Sequence, residues 1–359
     1  SQNTTSSYSV GIGLKSLCSS TGCENIGIGQ QSGSKITTGI RSIAIGSEGM
    51  STGPTTGSYN LGLGYRSLRA NTSGAGNVAI AGLGGLQNNT TGSNNVALGY
   101  NVASANTTGS HNVALGCTAL YTNTTGSYNT AIGIASLRNS LSGNHNFAAG
   151  QNALFSNWGG NWNTAIGFCA LKSNTTGCFN SAIGVNALIK NTTGSHNFAV
   201  GQSALYCNTT GTRNIGIGAC TLHNNSEGNY NTALGCFALR SNTTGDSNIG
   251  IGLKTLFNNT TGNYNTALGL CSQMTQNGGS NNFSVGYRSM RDATGGCHNV
   301  ALGSNALCLN TTGTHNTGIG PQSLANNKTG SHNVALGYQS LYFASSGTHN
   351  FAGGYRALY

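Results

Sequence analysis

The sequence has few charged residues, and very few of them are acidic. Of its 359 residues only 6% are charged, compared with about 25% in an ordinary globular protein. The acidic residues stand apart from one another, so the sequence offers no carboxylate pair of the kind that general acid–base catalysis uses. These residues are Glu24, Glu48, Glu227, Asp246 and Asp292. We therefore expect no enzymatic activity and no cofactor.

Long apolar runs and basic clusters are also missing. No apolar run approaches the ~20 residues that a membrane-spanning helix requires, and the first residues, SQNTTSSYSV, lack the features of a signal peptide. The formal net charge is +10, but the Lys and Arg residues form neither a run nor a stripe interleaved with aromatic residues. The sequence therefore predicts neither a membrane span nor a nucleic-acid partner. If the protein is secreted, we expect this sequence to be the processed form.

A repeat of constant length fills the chain. Asn112 recurs as Asn129 and Asn146 and then at the same interval as far as Asn350, and one-residue adjustments continue the register back to Ser9. A fixed period of this kind is typical of repeat architectures. The sequence therefore predicts a single array of 21 copies over residues 1–359. We number the positions of each repeat from this Asn, which is position 0, so that Val113 is at position +1.

The residue types at each position exclude helices and favour short strands. Position +2 is Ala, Gly or Ser, position +3 is mostly Ile or Leu, position +4 is nearly always Gly, and position +8 is mostly Leu. Much of the remaining repeat is Asn, Thr, Gly and Ser, which are poor helix formers. We expect two short strands in each repeat, near positions 0 to +3 and +6 to +9, with a turn at the Gly.

Stacked repeats of this kind predict an all-β fold, a β-solenoid or β-roll of about 21 coils with about 17 residues per coil. Identical positions in successive coils would lie about 4.8 Å apart, which allows the Asn at position 0 to form a ladder of amide hydrogen bonds. We expect positions +1 and +3 to face inward, so that +3 and +8 form one apolar seam. Positions 0 and +2 would then form a flat outer surface, which we expect another chain to cover by lateral packing.

Assembly from end to end is a further expectation. Neither end of the sequence has the atypical polar repeat that caps solenoids, and an uncapped coil presents unpaired backbone groups to another copy. We expect copies of the chain to stack into a filament. The alternative is that the sequence is a segment of a longer chain.

The motif Asn-Thr-Thr matches the acceptor sequence for N-linked glycans, Asn-x-Ser/Thr. The alternative is that this motif is only a polar turn, because Asn and Gly tolerate left-handed backbone angles. Further acceptor sequences start at Asn88, Asn224, Asn258 and Asn282. The expected glycan acceptors are Asn3, Asn71, Asn89, Asn106, Asn123, Asn174, Asn191, Asn208, Asn242, Asn259, Asn310 and Asn327.

The 11 cysteines and eight histidines show no metal-binding spacing. Two cysteine pairs are candidate disulfides, Cys18 with Cys23 and Cys220 with Cys236. Seven of the histidines lie at position −1, which Tyr, Trp or Phe occupies in other repeats. Because this position accepts any ring, it predicts ring stacking between coils rather than a metal site or a pH switch.

The strings NVALG, NTAIG, NSAIG and NTALG, followed by xxAL, resemble the head repeats of trimeric autotransporter adhesins. They also resemble the NTAIGxxAL arrays of viral and phage fibre-like proteins. The resemblance implies an extracellular, elongated β-roll, often a trimer. The repeat of this chain is longer than the adhesin head repeat, and no heptad stalk or anchor barrel follows it. The anchoring role and the binding residues therefore do not carry over.

These observations predict a structural subunit of an extracellular, N-glycosylated and self-assembling fibre. The first alternative is a cell-surface adhesin or viral fibre that binds a receptor. Its candidate sites are the irregular segments 143–162, with Trp158 and Trp162, and 273–291, which lacks Leu at position +8. The second alternative is an ice-binding protein, although adjacent threonines point to opposite sides and give no paired row.

Overall fold

The computed structural model describes residues 7–359, and the expected acceptor Asn3 lies outside them. The chain forms two compact units, Ser1–Phe179 and Asn180–Tyr359. Within each unit the described residues are all-β, and each repeat forms one coil of a β-solenoid. Asn95 and Asn112, which occupy the same position in successive coils, are 17 residues apart and hydrogen bonded to each other. The predicted fold class is therefore confirmed.

The first unit has ten short strands, one from each coil. They are β1 (Val10–Ile12), β2 (Ile26–Ile28), β3 (Ile43–Ile45), β4 (Leu61–Tyr65), β5 (Val78–Leu83), β6 (Val96–Leu98), β7 (Val113–Leu115), β8 (Thr130–Ile132), β9 (Phe147–Ala149) and β10 (Thr164–Ile166). Each strand pairs in parallel with the next strand along the chain. The register shifts between Leu63 and Tyr65, where β4 pairs with the longer β5.

The second unit has eleven strands of three residues each. They are β11 (Ser181–Ile183), β12 (Phe198–Val200), β13 (Ile215–Ile217), β14 (Thr232–Leu234), β15 (Ile249–Ile251), β16 (Thr266–Leu268), β17 (Phe283–Val285), β18 (Val300–Leu302), β19 (Thr317–Ile319), β20 (Val334–Leu336) and β21 (Phe351–Gly353). Consecutive strands are again parallel and in register, so that equivalent positions of neighbouring coils lie side by side.

Each coil of residues 7–359 has one strand, which includes positions +1 to +3. The prediction of a second strand at +6 to +9 is wrong. In the coil that begins at Asn214, Cys220 at +6 has a φ of 54° and Leu222 at +8 has a φ of 47°. Left-handed residues at two alternate positions turn the chain and cannot continue a strand. The turn is held by the next coil, because the backbone N–H of Leu222 donates to the carbonyl oxygen of Ala238 at 3.0 Å.

The strands turn their small residues inward, which is the opposite of the predicted orientation. Ala233 at +2 is fully buried, whereas Ile217 at +3 is 38% exposed. The coil is too narrow for a large residue at +2, since a β-carbon on Gly216 would lie 3.2 Å from Cδ1 of Leu205. The predicted seam of positions +3 and +8 is therefore wrong: the Leu at +8 fills the core, and position +3 lies on the surface.

Two ladders of buried asparagines link successive coils. At position 0, Oδ1 of Asn197 accepts hydrogen bonds from the backbone N–H of Asn214 at 3.0 Å and from its side-chain amide at 3.3 Å. At position +11, Nδ2 of Asn208 donates to Oδ1 of Asn191 at 2.8 Å. The first ladder confirms the prediction. Both ladders satisfy polar groups that would be costly to bury without partners.

The ring column predicted at position −1 is also confirmed. His298, His315, His332 and His349 stack in parallel, with neighbouring ring centroids 4.8–4.9 Å apart. This separation matches the spacing of neighbouring strands. Each ring therefore lies directly above the ring of the next coil.

Candidate functional site

The side chains at positions +1 and +3 point to solvent in strand after strand. Together with the next exposed position, +5, they form an apolar surface that we call the strand face. In the second unit Phe198 at +1 is 40% exposed and Leu253 at +5 is 45% exposed. The inward-facing residue between +1 and +3 is small, so the large residues of each strand are concentrated on its outer side.

The strand face carries no charge. No Lys, Arg, Asp or Glu occupies positions 0 to +5 in any repeat, although the remaining positions hold all 20 such residues. Solvated protein surfaces are normally rich in charged side chains. The strand face is therefore uncharged in every repeat and mostly apolar, with Thr or Ser at position +1 of six repeats.

The strand face is large enough for a stable interface. Eleven coils spaced by about 4.8 Å, each about four residues wide at ~3.3 Å per residue, give on the order of 700 Å² in the second unit. The largest apolar patch of a typical monomer is about 300–600 Å², and a standard interface buries about 800 Å² on each partner. The strand face is thus typical of a surface that another molecule covers.

The expected glycan acceptors within residues 7–359 are buried, and each is at most 1% exposed. Each also donates from Nδ2 to the carbonyl oxygen of the Gly three residues later, at 2.8–3.0 Å. A glycan would be attached to this same Nδ2 atom, so the folded coil has no place for it. These acceptors are Asn71, Asn89, Asn106, Asn123, Asn174, Asn191, Asn208, Asn242, Asn259, Asn310 and Asn327.

The other acceptor sequences differ in exposure. Asn88 and Asn258, which precede ladder asparagines, are exposed, and Asn224 is half-buried. Asn282 lies at position 0 and is buried in the first ladder. An asparagine at the outer side of the turn is therefore accessible to a modifying enzyme, whereas its immediate neighbour in the ladder is not.

The structure joins neither of the predicted cysteine pairs. Cys18, Cys23, Cys220 and Cys236 are all free thiols. Cys220 lies at position +6 and Cys236 at position +5 of the next coil, so the two do not occupy the same column. Elsewhere, burial raises the pKa of the Cys308 thiol, which makes it a poorer nucleophile at neutral pH.

Some of the other titratable groups form surface ion pairs. A hydrogen bond to Glu48 raises the pKa of the Arg66 guanidinium, and a hydrogen bond to Asp292 raises that of Arg291. Within residues 7–359 no group of three or more His, Cys, Asp or Glu side chains is placed to hold a metal ion. The same residues include no helix with the length and apolar character that crossing a membrane requires.

The two irregular segments differ in what they expose. Trp162 stacks between His145 and Phe179, at centroid distances of 4.0 and 6.5 Å, whereas Trp158 is 55% exposed. In the segment 273–291 the irregularity is internal. Gln273 and Gln276 replace the core Leu and the ladder Asn and are fully buried, and both amide atoms of Gln276 lack hydrogen-bond partners.

Comparison with known proteins gave no matching protein-family model and no matching curated protein.

Proposed function

We propose that the chain is a structural subunit of an extracellular fibre in which copies pack side by side through the strand face. The observation that carries this proposal is the outward position of the large apolar residues at +1 and +3, on a surface without charge. Burying apolar surface is the dominant favourable contribution to association. The location outside the cell is part of the proposal and rests on the resemblance of the repeats.

A second copy of this chain suits the strand face better than an unrelated globular partner. Another copy presents rows of side chains at the same spacing, about 4.8 Å from coil to coil. Each row of one face then meets a row of the other along the whole contact. An interface also needs close packing and few buried charges, and the strand face has no charge to bury.

The proposal omits glycans at the twelve asparagines first expected to carry them. Eleven of these are buried and use Nδ2 in hydrogen bonds, and the remaining one, Asn3, lies outside the described residues. The hydroxyl and amide groups of the exposed turns supply a polar surface without sugar.

A receptor-binding fibre is the second candidate function, and Trp158 favours it. This indole is 55% exposed at position +12, which Thr occupies in most repeats. Exposed Trp residues are enriched among the residues that dominate binding energy at interfaces. Ice binding is not favoured, because the Thr at +12 faces the next coil. Thr209 Oγ1, for example, donates to the carbonyl oxygen of Ser226 at 3.0 Å.

Sedimentation velocity of the purified chain tests the proposed function. We expect wild-type protein to form assemblies that the double variant Ile217→Lys/Ile251→Lys disrupts, because lysine would place charge in the contact. Both isoleucines are on the surface, at 38% and 37% exposure, so each coil should still fold. Circular dichroism checks the fold of every variant.

The matched control is Thr210→Lys/Thr244→Lys, which adds the same charge at exposed turn positions. The control should assemble like the wild type. Monomeric wild-type protein at micromolar concentration, or equal disruption by both pairs of substitutions, would count against packing through the strand face.

A further inference from the structure

The net charge of the protein is confined to one edge of the coil. Twelve of the 15 basic residues lie at positions +6, +9 and +10, which we call the basic edge. The basic edge contains only two of the five acidic residues. Everywhere else the charges balance, since three basic residues offset three acidic ones. The formal charge of +10 is therefore the charge of this edge.

The three positions of the basic edge are neighbours in space. Arg69 at +9 and Arg66 at +6 both approach Glu48 of the preceding coil, at 3.6 and 2.8 Å. The guanidinium of Arg240 at +9 lies 5.9 Å from the ring of Phe237 at +6 in the same coil. The basic edge is not visible as a stripe in the sequence, because its cations in different coils are far apart along the chain and become neighbours only when the coils stack.

A shallow groove lies on the basic edge of each unit and spans three coils. In the first unit it has a volume of about 440 Å³ and includes Lys15, Lys35 and Gln31 in its lining. In the second unit a groove of about 180 Å³ is lined by the same three positions, among them Asn305 and Gln322. The first groove combines lysines with the amide of Gln31, whereas the second is lined by amide, apolar and aromatic side chains without Lys or Arg.

Most cations of the basic edge have no anionic partner. Within residues 7–359 its two carboxylates pair with cations of the same edge, Glu48 with Arg66 and Arg69, and Asp292 with Arg291. Each unit has six cations and one carboxylate on this edge, which leaves five net positive charges in each. With coils about 4.8 Å apart, this amounts to one net charge for about every 10 Å along the stack.

We propose that the basic edge binds a linear acidic polysaccharide that lies along the stack of coils. A row of cations along one edge attracts an extended polyanion and raises its rate of association. Sugar hydroxyls are suited to hydrogen bonds with the amide and hydroxyl side chains of the grooves, such as Gln31, Ser34 and Asn326. The basic edge occupies other positions of the repeat than the strand face, so both can be used at once.

The arrangement fits a sugar polymer better than a nucleic acid. Duplex DNA carries a negative charge about every 1.7 Å, which is far denser than the basic edge. Single strands bind by stacking bases on aromatic faces, but some rings of the basic edge already have a cation over them. The guanidinium of Arg138 lies 5.7 Å from the ring centroids of both Tyr121 and Phe155.

Fluorescence anisotropy with labelled polygalacturonate tests this proposal. We expect the 359-residue chain to bind the polymer at low ionic strength and to release it as salt is added, because the contact is electrostatic. Replacing three unpaired edge cations should weaken binding by about tenfold or more, which corresponds to about 1.4 kcal/mol. These substitutions are Lys190→Gln, Lys254→Gln and Arg288→Gln.

The control removes the same charge away from the basic edge, through Arg41→Gln, Arg213→Gln and Lys328→Gln. We expect this triple variant to bind within about twofold of the wild type. Equal weakening in both variants would show that only net charge matters, and it would overturn the proposal. No binding of polygalacturonate, or tighter binding of oligo(dT) or of vesicles containing phosphatidylserine, would overturn the assigned partner.

Discussion

Oδ1 of Asn214 accepts two hydrogen bonds from Asn231, one from the backbone N–H at 3.0 Å and one from the side-chain amide at 3.2 Å. The amide of Asn231 also donates to the carbonyl oxygen of Gly245 at 2.8 Å. Oδ1 of Asn231 in turn accepts from Asn248, so this side chain donates to the preceding ladder asparagine and accepts from the following one. Asp has a side chain of the same length but lacks the N–H donor of the amide, and the side chain of Gln is one methylene longer. This dual role explains why Asn recurs at position 0.

Replacing Asn231 by Asp should strongly destabilise the second unit. At pH 7 the carboxylate would place negative charge against Oδ1 of Asn214 and the carbonyl oxygen of Gly245, both of which now accept hydrogen bonds. A buried polar group left without a partner costs about 1–3 kcal/mol, and a charged group costs more. We therefore expect a loss of at least about 3 kcal/mol in the free energy of unfolding, measured by denaturant titration.

The control is Asn258→Asp, which makes the same chemical change at an exposed residue. Its free energy of unfolding should stay within about 0.5 kcal/mol of the wild type. Similar losses for the two variants would show that the ladder at position 0 does not stabilise the stack.

Ser140→Asn should stabilise the first unit by repairing the second ladder. Ser140 occupies position +11, where most coils have Asn, and Oδ1 of Asn123 beneath it is buried without a hydrogen-bond partner. An Asn here would donate to Asn123 and also offer an acceptor to Asn157, and we expect a gain of about 1–3 kcal/mol. Denaturant titration of protein from a non-glycosylating host measures it. Ser241→Asn, at a half-buried position outside the ladder, should give no comparable gain.

Gly218→Ala should destabilise the coil because position +4 has no room for a β-carbon. Gly218 has a φ of 127°, and a β-carbon there would lie 2.9 Å from the carbonyl carbon of Gly235. Strained backbone of this kind costs about 1–3 kcal/mol even before any clash. The matched change Gly295→Ala meets no atom within 4 Å and should be nearly neutral. Thermal unfolding of both variants tests this, and an equal shift in Tm would refute the assignment.

After expression in a host that secretes and glycosylates the protein, Asn258 and Asn259 should differ in glycan attachment. Both begin an acceptor sequence, but Asn258 is exposed, whereas Asn259 is fully buried and donates to the carbonyl oxygen of Gly262 at 3.0 Å. Peptide mass spectrometry of the folded protein should find glycan on Asn258 and none on Asn259. Asn258→Gln should then remove it without creating a modified Asn259. Glycan on Asn259 in folded protein would contradict the buried position of the ladder.

Much of the fold follows from the sequence because it depends on periodicity. The recurrence of Asn112 at a fixed interval predicted the length of the coil and the amide ladder. The different aromatic and histidine rings at position −1 predicted that rings of successive coils stack. The prediction of which strand side chains face the core was wrong. Alternation separates Ala233 from Leu234 onto opposite faces, but it does not say which face is inside. The usual rule that large apolar residues are buried failed at the strand because the narrow coil leaves room at position +2 only for Ala, Gly or Ser.

The candidate surfaces were harder to predict for a related reason. Arg138 and Tyr121 belong to successive coils, and only stacking brings the guanidinium to 5.7 Å from the ring. The acceptor motif describes Asn259 by its neighbours in sequence, whereas the burial of Asn259 depends on the coils on either side. Reading each position as a column through all the coils, rather than along the chain, would have revealed the basic edge.

The most direct test of lateral packing is electron cryo-microscopy of the assembled wild-type protein, at a resolution that separates coils about 4.8 Å apart. We predict that neighbouring copies meet through positions +1, +3 and +5, with Ile217 and Ile251 inside the contact and the basic edge facing solvent. A map in which the strand face lies open to solvent while copies meet elsewhere would contradict the proposed function.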